Sequence, residues 1–170
     1  MDTFCEQLLT IKKTTADWLA ILGYFALASL LSCVAIYFLL YFGMIPIVLS
    51  FLFLFIAYKL SVRHNIEYEY IVTNGVLDID KITNRLNRKR LLSFNLNTVT
   101  TLEKLNLNKI QSIDKKQLIF ACNKNDSNAY LIVFQKVGDQ PNYLVFSPNE
   151  KLKNSMVAFL PKFISLNAFK

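Results

Sequence analysis

The stretch Glu67–Ile82, EYEYIVTNGVLDIDKI, decides the fold. Polar and apolar residues alternate on both sides of Asn74-Gly75, a dipeptide whose two positions tolerate positive φ. That combination predicts a β-hairpin with a two-residue turn, and such a turn fixes the register. Val72 then faces Leu77 and Tyr70 faces Ile79, which makes one apolar face. On the other face Ile71 meets Asp78 and Glu69 meets Asp80. Opposed carboxylates repel across a sheet, so a cation on the third strand is expected to compensate.

The densest positive run, Asn84–Arg90 (NRLNRKR), follows at once. If Asp80 pairs with Arg90 across the next turn, Arg88 and Arg90 share the polar face with Glu69 and Asp80, because alternate strand residues share a face. The expected result is a structural ladder Glu69–Asp80–Arg90. Lys89 points to the opposite face and Arg85 falls in the turn. Arg85, Arg88 and Lys89 are therefore the candidates for facing anionic lipid, Arg85 foremost.

Further strands are expected at Arg88–Phe94, Thr98–Leu105, Gln117–Cys122, Ala129–Val137 and Asn142–Phe146. Between them lie the turn-rich pieces NKNDSN and GDQPN and the looser Asn106–Lys116. Seven short strands predict an antiparallel barrel or sandwich. Ser147-Pro148-Asn149-Glu150 reads as a helix start, with Ser147 as the cap, Pro148 in the first turn and Glu150 closing a capping box. Leu152, Met156, Phe159, Leu160 and Phe163 follow near one face, and Pro161 ends or kinks the helix.

Ahead of the hairpin the composition is different. Trp18–Tyr58, 41 residues, contains no charge. One helix of that length would be about 60 Å long, twice a ~30 Å hydrocarbon core, so the run folds back on itself. Gly43-Met44-Ile45-Pro46 supplies the turn, with helices expected at Trp18–Phe42 and Ile45–Val62. Lys12, Lys13, Lys59 and Arg63 flank the outer ends while the turn is uncharged, which predicts cytoplasmic termini and a multi-pass cell-membrane protein. Ala28 with Ser32, and Ser29 with Cys33, offer small-residue faces for close helix packing or for a second copy. Phe4, Leu8 and Ile11 repeat at helical spacing, so the N-terminus is expected as either an interfacial helix or a frayed end. The expected division is an N-terminal cytoplasmic segment at 1–16, a transmembrane helical hairpin at 17–64, and a cytoplasmic α+β domain at 65–170.

Seven antiparallel strands closed by a C-terminal helix resemble a pleckstrin-homology (PH) domain. The chain is similar to small bacterial membrane proteins of unknown function in which a two-helix hairpin precedes a PH-like domain. YEYIVTNGVLDIDKI, the basic NRKRLL and the terminal FSPNEKLKNSM carry that resemblance. It implies a PH-like seven-stranded antiparallel barrel closed by a helix, in a membrane setting, and no catalytic motif.

Chemistry-bearing residues are sparse. His64 is the sole histidine and stands beside Arg63 at the membrane end. Cys5, Cys33 and Cys122 are too scattered for a disulfide framework or a zinc site. Glu67 with Glu69, and Asp78 with Asp80, lie on strand faces instead of a pocket. No metal, cofactor or small-molecule substrate is expected. Net charge is +7, but cations are interspersed with Asp and Glu, so nucleic acid is not expected either. The reading is a non-catalytic, membrane-tethered interaction module that docks a protein partner or self-associates. Its alternatives are an anionic-lipid-binding surface module and an auxiliary subunit of a membrane transport complex.

Overall fold

The structure, a computed structural model, describes residues 3–106, 113–114, 117–123, 126–135, 141–166 and 168–169, with the backbone alone at 39 and 40. Most of the loose Asn106–Lys116 stretch therefore lies outside the described residues. So do 124–125 and 136–140, which hold parts of both expected turns and the end of the expected Ala129–Val137 strand.

The chain divides into two units. One comprises Lys12–Ile66 and Thr83–Asn87; the other comprises Met1–Ile11, Glu67–Ile82 and Arg88–Lys170.

In the helical unit, α1 spans Thr15–Tyr37, α2 Leu39–Phe42 and α3 Ile45–Val62. α1 starts three residues before the apolar run because Thr14 and Asp17 form a capping box. The Asp17 N–H donates to Thr14 Oγ1 (3.3 Å) and the Thr14 N–H to Asp17 Oδ2 (2.8 Å). The expected single helix to Phe42 is instead interrupted at Phe38, whose N–H bonds back to Ala35 and Ile36. Gly43, at φ +60°, makes the reversal and Pro46 sits in the first turn of α3. α1 and α3 are long and apolar enough to cross a membrane.

Ala28 and Ser32 are the small residues used between these helices, and both are buried; Ser29 and Cys33 face outward. Ser32 Oγ donates to Ala28 O (2.8 Å) and approaches Ser50 O at 3.4 Å. Ser50 Oγ donates to Pro46 O (2.8 Å) and lies 3.5 Å from Ser32 O. Each hydroxyl is thus satisfied on its own helix and leans on the other, as small-residue packing in an apolar medium requires.

In the second unit, eight strands among the described residues form two four-stranded sheets. They are β1 (Phe4–Thr10), β2 (Ile66–Thr73), β3 (Val76–Thr83), β4 (Asn87–Asn95), β5 (Val99–Lys104), β6 (Leu118–Phe120), β7 (Tyr130–Phe134) and β8 (Asn142–Phe146). The first sheet runs β1-β2-β3-β4 and the second β5-β7-β8-β6.

This corrects the expected fold in three ways. The N-terminal segment is neither an interfacial helix nor a frayed end: β1 pairs antiparallel with β2, Phe4 opposite Thr73 through Thr10 opposite Glu67. Cys5 and Leu9 face the core, whereas Phe4 and Leu8 are exposed. The sheets do not close into a barrel. β4 and β5 are both edges, and the 3-10 turn Leu96–Thr98 carries the chain from one sheet to the other, capped by Asn95 Oδ1 on the Asn97 N–H (3.3 Å). The strands are not all antiparallel, because β6 pairs parallel to β8.

The core joins both sheets to a helix. Tyr70, Val72, Leu77 and Ile79 come from the first sheet, and Val99, Ile132, Phe134, Leu144 and Phe146 from the second. Leu152 and Met156 come from α4 (Glu150–Val157), and Ile164 from α5 (Lys162–Ser165). Phe94 stacks on Phe134 at 4.0 Å between ring centres. The expected helix start is also corrected. Asn149, not Ser147, caps α4, its Oδ1 accepting from the Leu152 N–H at 2.8 Å. Gln7 of β1 explains the displacement, since its side-chain amide donates to Ser147 O (2.9 Å) and accepts from the Asn149 N–H (2.7 Å). Glu150 bonds Lys153 instead of closing a box.

Candidate functional site

The Asn74-Gly75 turn sets the first sheet in place. Asn74 has φ +48° and Gly75 φ +84°. A Cβ at position 75 would stand 2.9 Å from the Phe159 ring, so the turn that follows α4 packs where only glycine fits. Asn74 exchanges two bonds with Thr3, the residue before β1, N to Thr3 O (3.1 Å) and Oδ1 from Thr3 N (3.0 Å).

From this turn the apolar face of the hairpin goes inward. Tyr70, Val72, Leu77 and Ile79 are fully buried. The Tyr70 hydroxyl donates to Ala121 O and accepts from the Ser147 N–H at 3.4 Å, linking the sheets through the core. Burial pushes its ionisation far above the ordinary tyrosine value.

The opposite face carries the charges. Glu69 on β2 and Asp80 on β3 are 4 % and 3 % exposed, although nothing apolar marks them as core residues. Two arginines of β4 cover them. Arg88 Nη2 lies 2.8 Å from Glu69 Oε1 and 2.7 Å from Oε2. Its Nε lies 4.0 Å from Asp80 Oδ2. Arg90 Nε meets Asp80 Oδ1 at 2.9 Å, and its Nη1 meets Asp78 Oδ2 at 3.0 Å.

The ladder expected as Glu69–Asp80–Arg90 is therefore divided. Arg90 holds Asp80 and Asp78, and Glu69 belongs to Arg88. Arg88, expected as a lipid-facing candidate, is engaged by Glu69 while its side chain stays 55 % exposed. It crosses from β4 over β3 to β2, a span of about 9.6 Å at ~4.8 Å per strand, which only opposing long side chains can close. Glu69 remains in conflict. Burial, then a hydrogen bond shared with Glu6, raise its carboxyl above the ordinary 4.5, against the pull of Arg88. Thr10 Oγ1 reaches Glu67 Oε1 at 3.4 Å on the same sheet.

Lys89 and Arg85, the remaining cationic candidates, are both exposed. Arg85 lies in the β3–β4 turn at φ +56°, next to Asn84 at φ +54°. The Leu86 N–H closes the turn on Thr83 O (3.3 Å), and the Asn84 N–H donates to Asn65 O (2.8 Å), just past α3. Arg85 itself has an interaction partner.

His64, two residues past the end of α3, pairs with the start of α1. Its Nδ1 is 2.9 Å from Asp17 Oδ1 at the start of α1, and its ring centre is 6.0 Å from that of Tyr24. Burial pushes the Cys122 thiol up to about 12, so little thiolate forms there. Sequence reasoning missed the Gln7 contacts and the Glu69–Arg88 pair. A signal for the first lay in the Cys5–Gln7–Leu9 alternation of the N-terminus.

Among the described residues the arrangement offers a sheet edge at β4 and an exposed basic turn beside the hairpin, with Arg88 and Arg90 paired to Glu69, Asp78 and Asp80. Residues 1–165 match the model of the family described as "Bacterial PH-like domain (DUF6106)". No curated protein and no solved structure matches the chain.

Proposed function

The chain belongs to this bacterial PH-like family, and from that premise we propose a non-catalytic, membrane-tethered interaction module. Its sheet-rich unit docks a protein partner, or a second copy, at the inner membrane surface. It takes no nucleic acid, cofactor or small-molecule substrate.

Two features support the setting. β1 precedes the helices and β2 follows them, and the two strands are paired, so the segments flanking the hairpin lie on one side of any membrane it crosses. Lys12, Lys13, Lys59 and Arg63 are near those ends, and none is near Gly43-Met44, a distribution that supports a cytoplasmic side by the positive-inside rule.

The observation that carries docking is the edge position of β4. Among the described residues it is the last strand of its sheet, and Asn87–Arg90 are all exposed. An edge strand presents backbone donors and acceptors to an incoming strand, and its charges select the partner while deterring unspecific pairing. A photocrosslinking residue at Lys89 of the full chain, activated in native membranes, tests this. A discrete adduct, with a partner or at twice the chain's own mass, is expected. Absence of any protein adduct overturns the reading. The anionic-lipid alternative is favoured by the β3–β4 turn. The auxiliary-subunit alternative would use the outward-facing Ser29 and Cys33 of α1.

A further inference from the structure

The turn Thr83–Asn87 connects two strands of the sheet-rich unit but belongs to the helical unit. We propose that its tip, Asn84-Arg85-Leu86, is a second membrane contact, an interfacial wedge in which Leu86 enters the headgroup layer and Arg85 meets anionic lipid phosphates. The proposal rests on the membrane-tethered reading and extends it from the helices to the domain's own loop.

Position comes first. Beyond Val62 the chain continues in tight turns, with Arg63 N to Leu60 O at 3.2 Å, His64 N to Ser61 O at 3.2 Å and Asn65 N to Val62 O at 3.1 Å. At ~2 Å rise per residue in such turns, Asn65 lies about 6 Å past the end of the apolar helix. The headgroup layer on each side of a bilayer is roughly 5–7 Å thick, the difference between a ~30 Å core and a 40–45 Å whole. Asn65 O accepts the Asn84 N–H at 2.8 Å, so the tip is tied at that depth.

Exposure comes second. Leu86 is 80 % exposed, as exposed as Met44 at the far turn of the hairpin. An aqueous turn gains nothing from a leucine in that state, whereas an interface removes it from water. Chemistry comes third. Asn84 and Arg85 both hold left-handed backbone, at φ +54° and +56°, where a residue carrying a Cβ is disfavoured and glycine is the ordinary choice. The chain keeps a cationic side chain there in spite of that. Exposed Arg63 stands two residues before Asn65. A basic and apolar pair beside a helix end matches an anionic interface, which attracts cations and shelters leucine.

Trp18 is the sole tryptophan, which makes the test direct. The full chain is reconstituted in phosphatidylglycerol–phosphatidylcholine vesicles containing lipids brominated near the glycerol end of the acyl chains. Wild type reports through Trp18; Leu86→Trp in a Trp18→Phe background reports from the tip, with Asn87→Trp as a second reporter if the first does not fold. Quenching of the tip reporter to an extent comparable with Trp18, with a blue-shifted emission, is the expected result. Quenching of Trp18 alone overturns the wedge and leaves the tether intact. Quenching of neither overturns the membrane reading and the wedge with it. Adding Arg85→Glu should cut tip quenching at least about twofold in anionic vesicles and leave it unchanged in pure phosphatidylcholine. Equal quenching in both removes the arginine from the contact.

Discussion

Replacing Arg88 with methionine keeps most of the aliphatic stem and removes the charge that answers Glu69. The penalty can be bounded from the structure. Glu69 is 4 % exposed, so without Arg88 its carboxylate is a buried, uncompensated charge. It escapes that cost by taking up a proton. Holding a carboxyl of ordinary value 4.5 neutral costs about 1.36 kcal/mol per pH unit, or about 3.4 kcal/mol near pH 7. The wild type already gives up part of this, because burial raises Glu69 even with Arg88 present. The expected loss near pH 7 is therefore about 1–3 kcal/mol. The sign with pH follows from linkage. Glu69 has its folded value above its unfolded one, so the folded state binds the proton more readily. Its contribution is most favourable below 4.5 and is lost as pH rises through the raised value. Near pH 5 the ceiling falls to about 0.7 kcal/mol, and the Arg88→Met penalty should shrink with it. Glu69→Gln with Arg88→Met should abolish the pH dependence, and Lys89→Met should stay within about 0.5 kcal/mol of wild type. Thermal unfolding of the full chain in detergent micelles at the two pH values, followed by near-ultraviolet dichroism, measures all four. A penalty equal at both pH values, or below about 0.5 kcal/mol near neutrality, refutes the Arg88–Glu69 pairing.

Other consequences are measured in the same way. Gly75→Ala should cost about 2–3 kcal/mol, roughly 1–2 from the left-handed backbone and the rest from the Phe159 ring; Phe159→Leu should relieve only the second part, so additive losses would exclude the contact. Tyr70→Phe should cost about 1–3 kcal/mol by leaving Ala121 O and the Ser147 N–H without the hydroxyl, and a loss under about 0.5 kcal/mol would mean water replaces it. Asn149→Ala should cost about 1 kcal/mol and Ser147→Ala less, an order that reverses if Ser147 is the cap after all.

What could be read in the sequence follows the range of the forces involved. The Glu67–Ile82 hairpin was legible to the residue, because two turn residues with positive φ lock the register and the register sorts Tyr70, Val72, Leu77 and Ile79 inward. The reversal at Gly43 was legible for the same local reason. Strand positions after the hairpin were legible too, but not β1 and not the strands' neighbours. Periodicity does not say that β6 lies parallel to β8 or that Asn95 turns the chain into a second sheet. The charge run failed in one particular way. Register was used as if side chains reach straight across, whereas Arg88 reaches over β3 to a carboxylate two strands away. The α4 cap failed because its competitor is Gln7, which arrives from the far end of the chain.

That N-terminal strand is joined to its partner strand only by way of the helical unit's chain. Cys5 faces Val72 across 67 residues of sequence, and almost everything between them is the helical hairpin. β1 cannot find its partner until α1 and α3 have both been made and β2 has followed. Pairing then closes a loop whose two connections are short, Thr10 to Thr15 and Val62 to Ile66. A hairpin that reversed incorrectly, or crossed once, would leave β1 and β2 on opposite sides with their core faces uncovered. Cys5 and Leu9 would be stranded, and Gln7 could not brace the start of α4. On the membrane-tethered reading, the segment expected as an interfacial helix or a frayed end thus makes correct insertion of the helices a condition for completing the sheet.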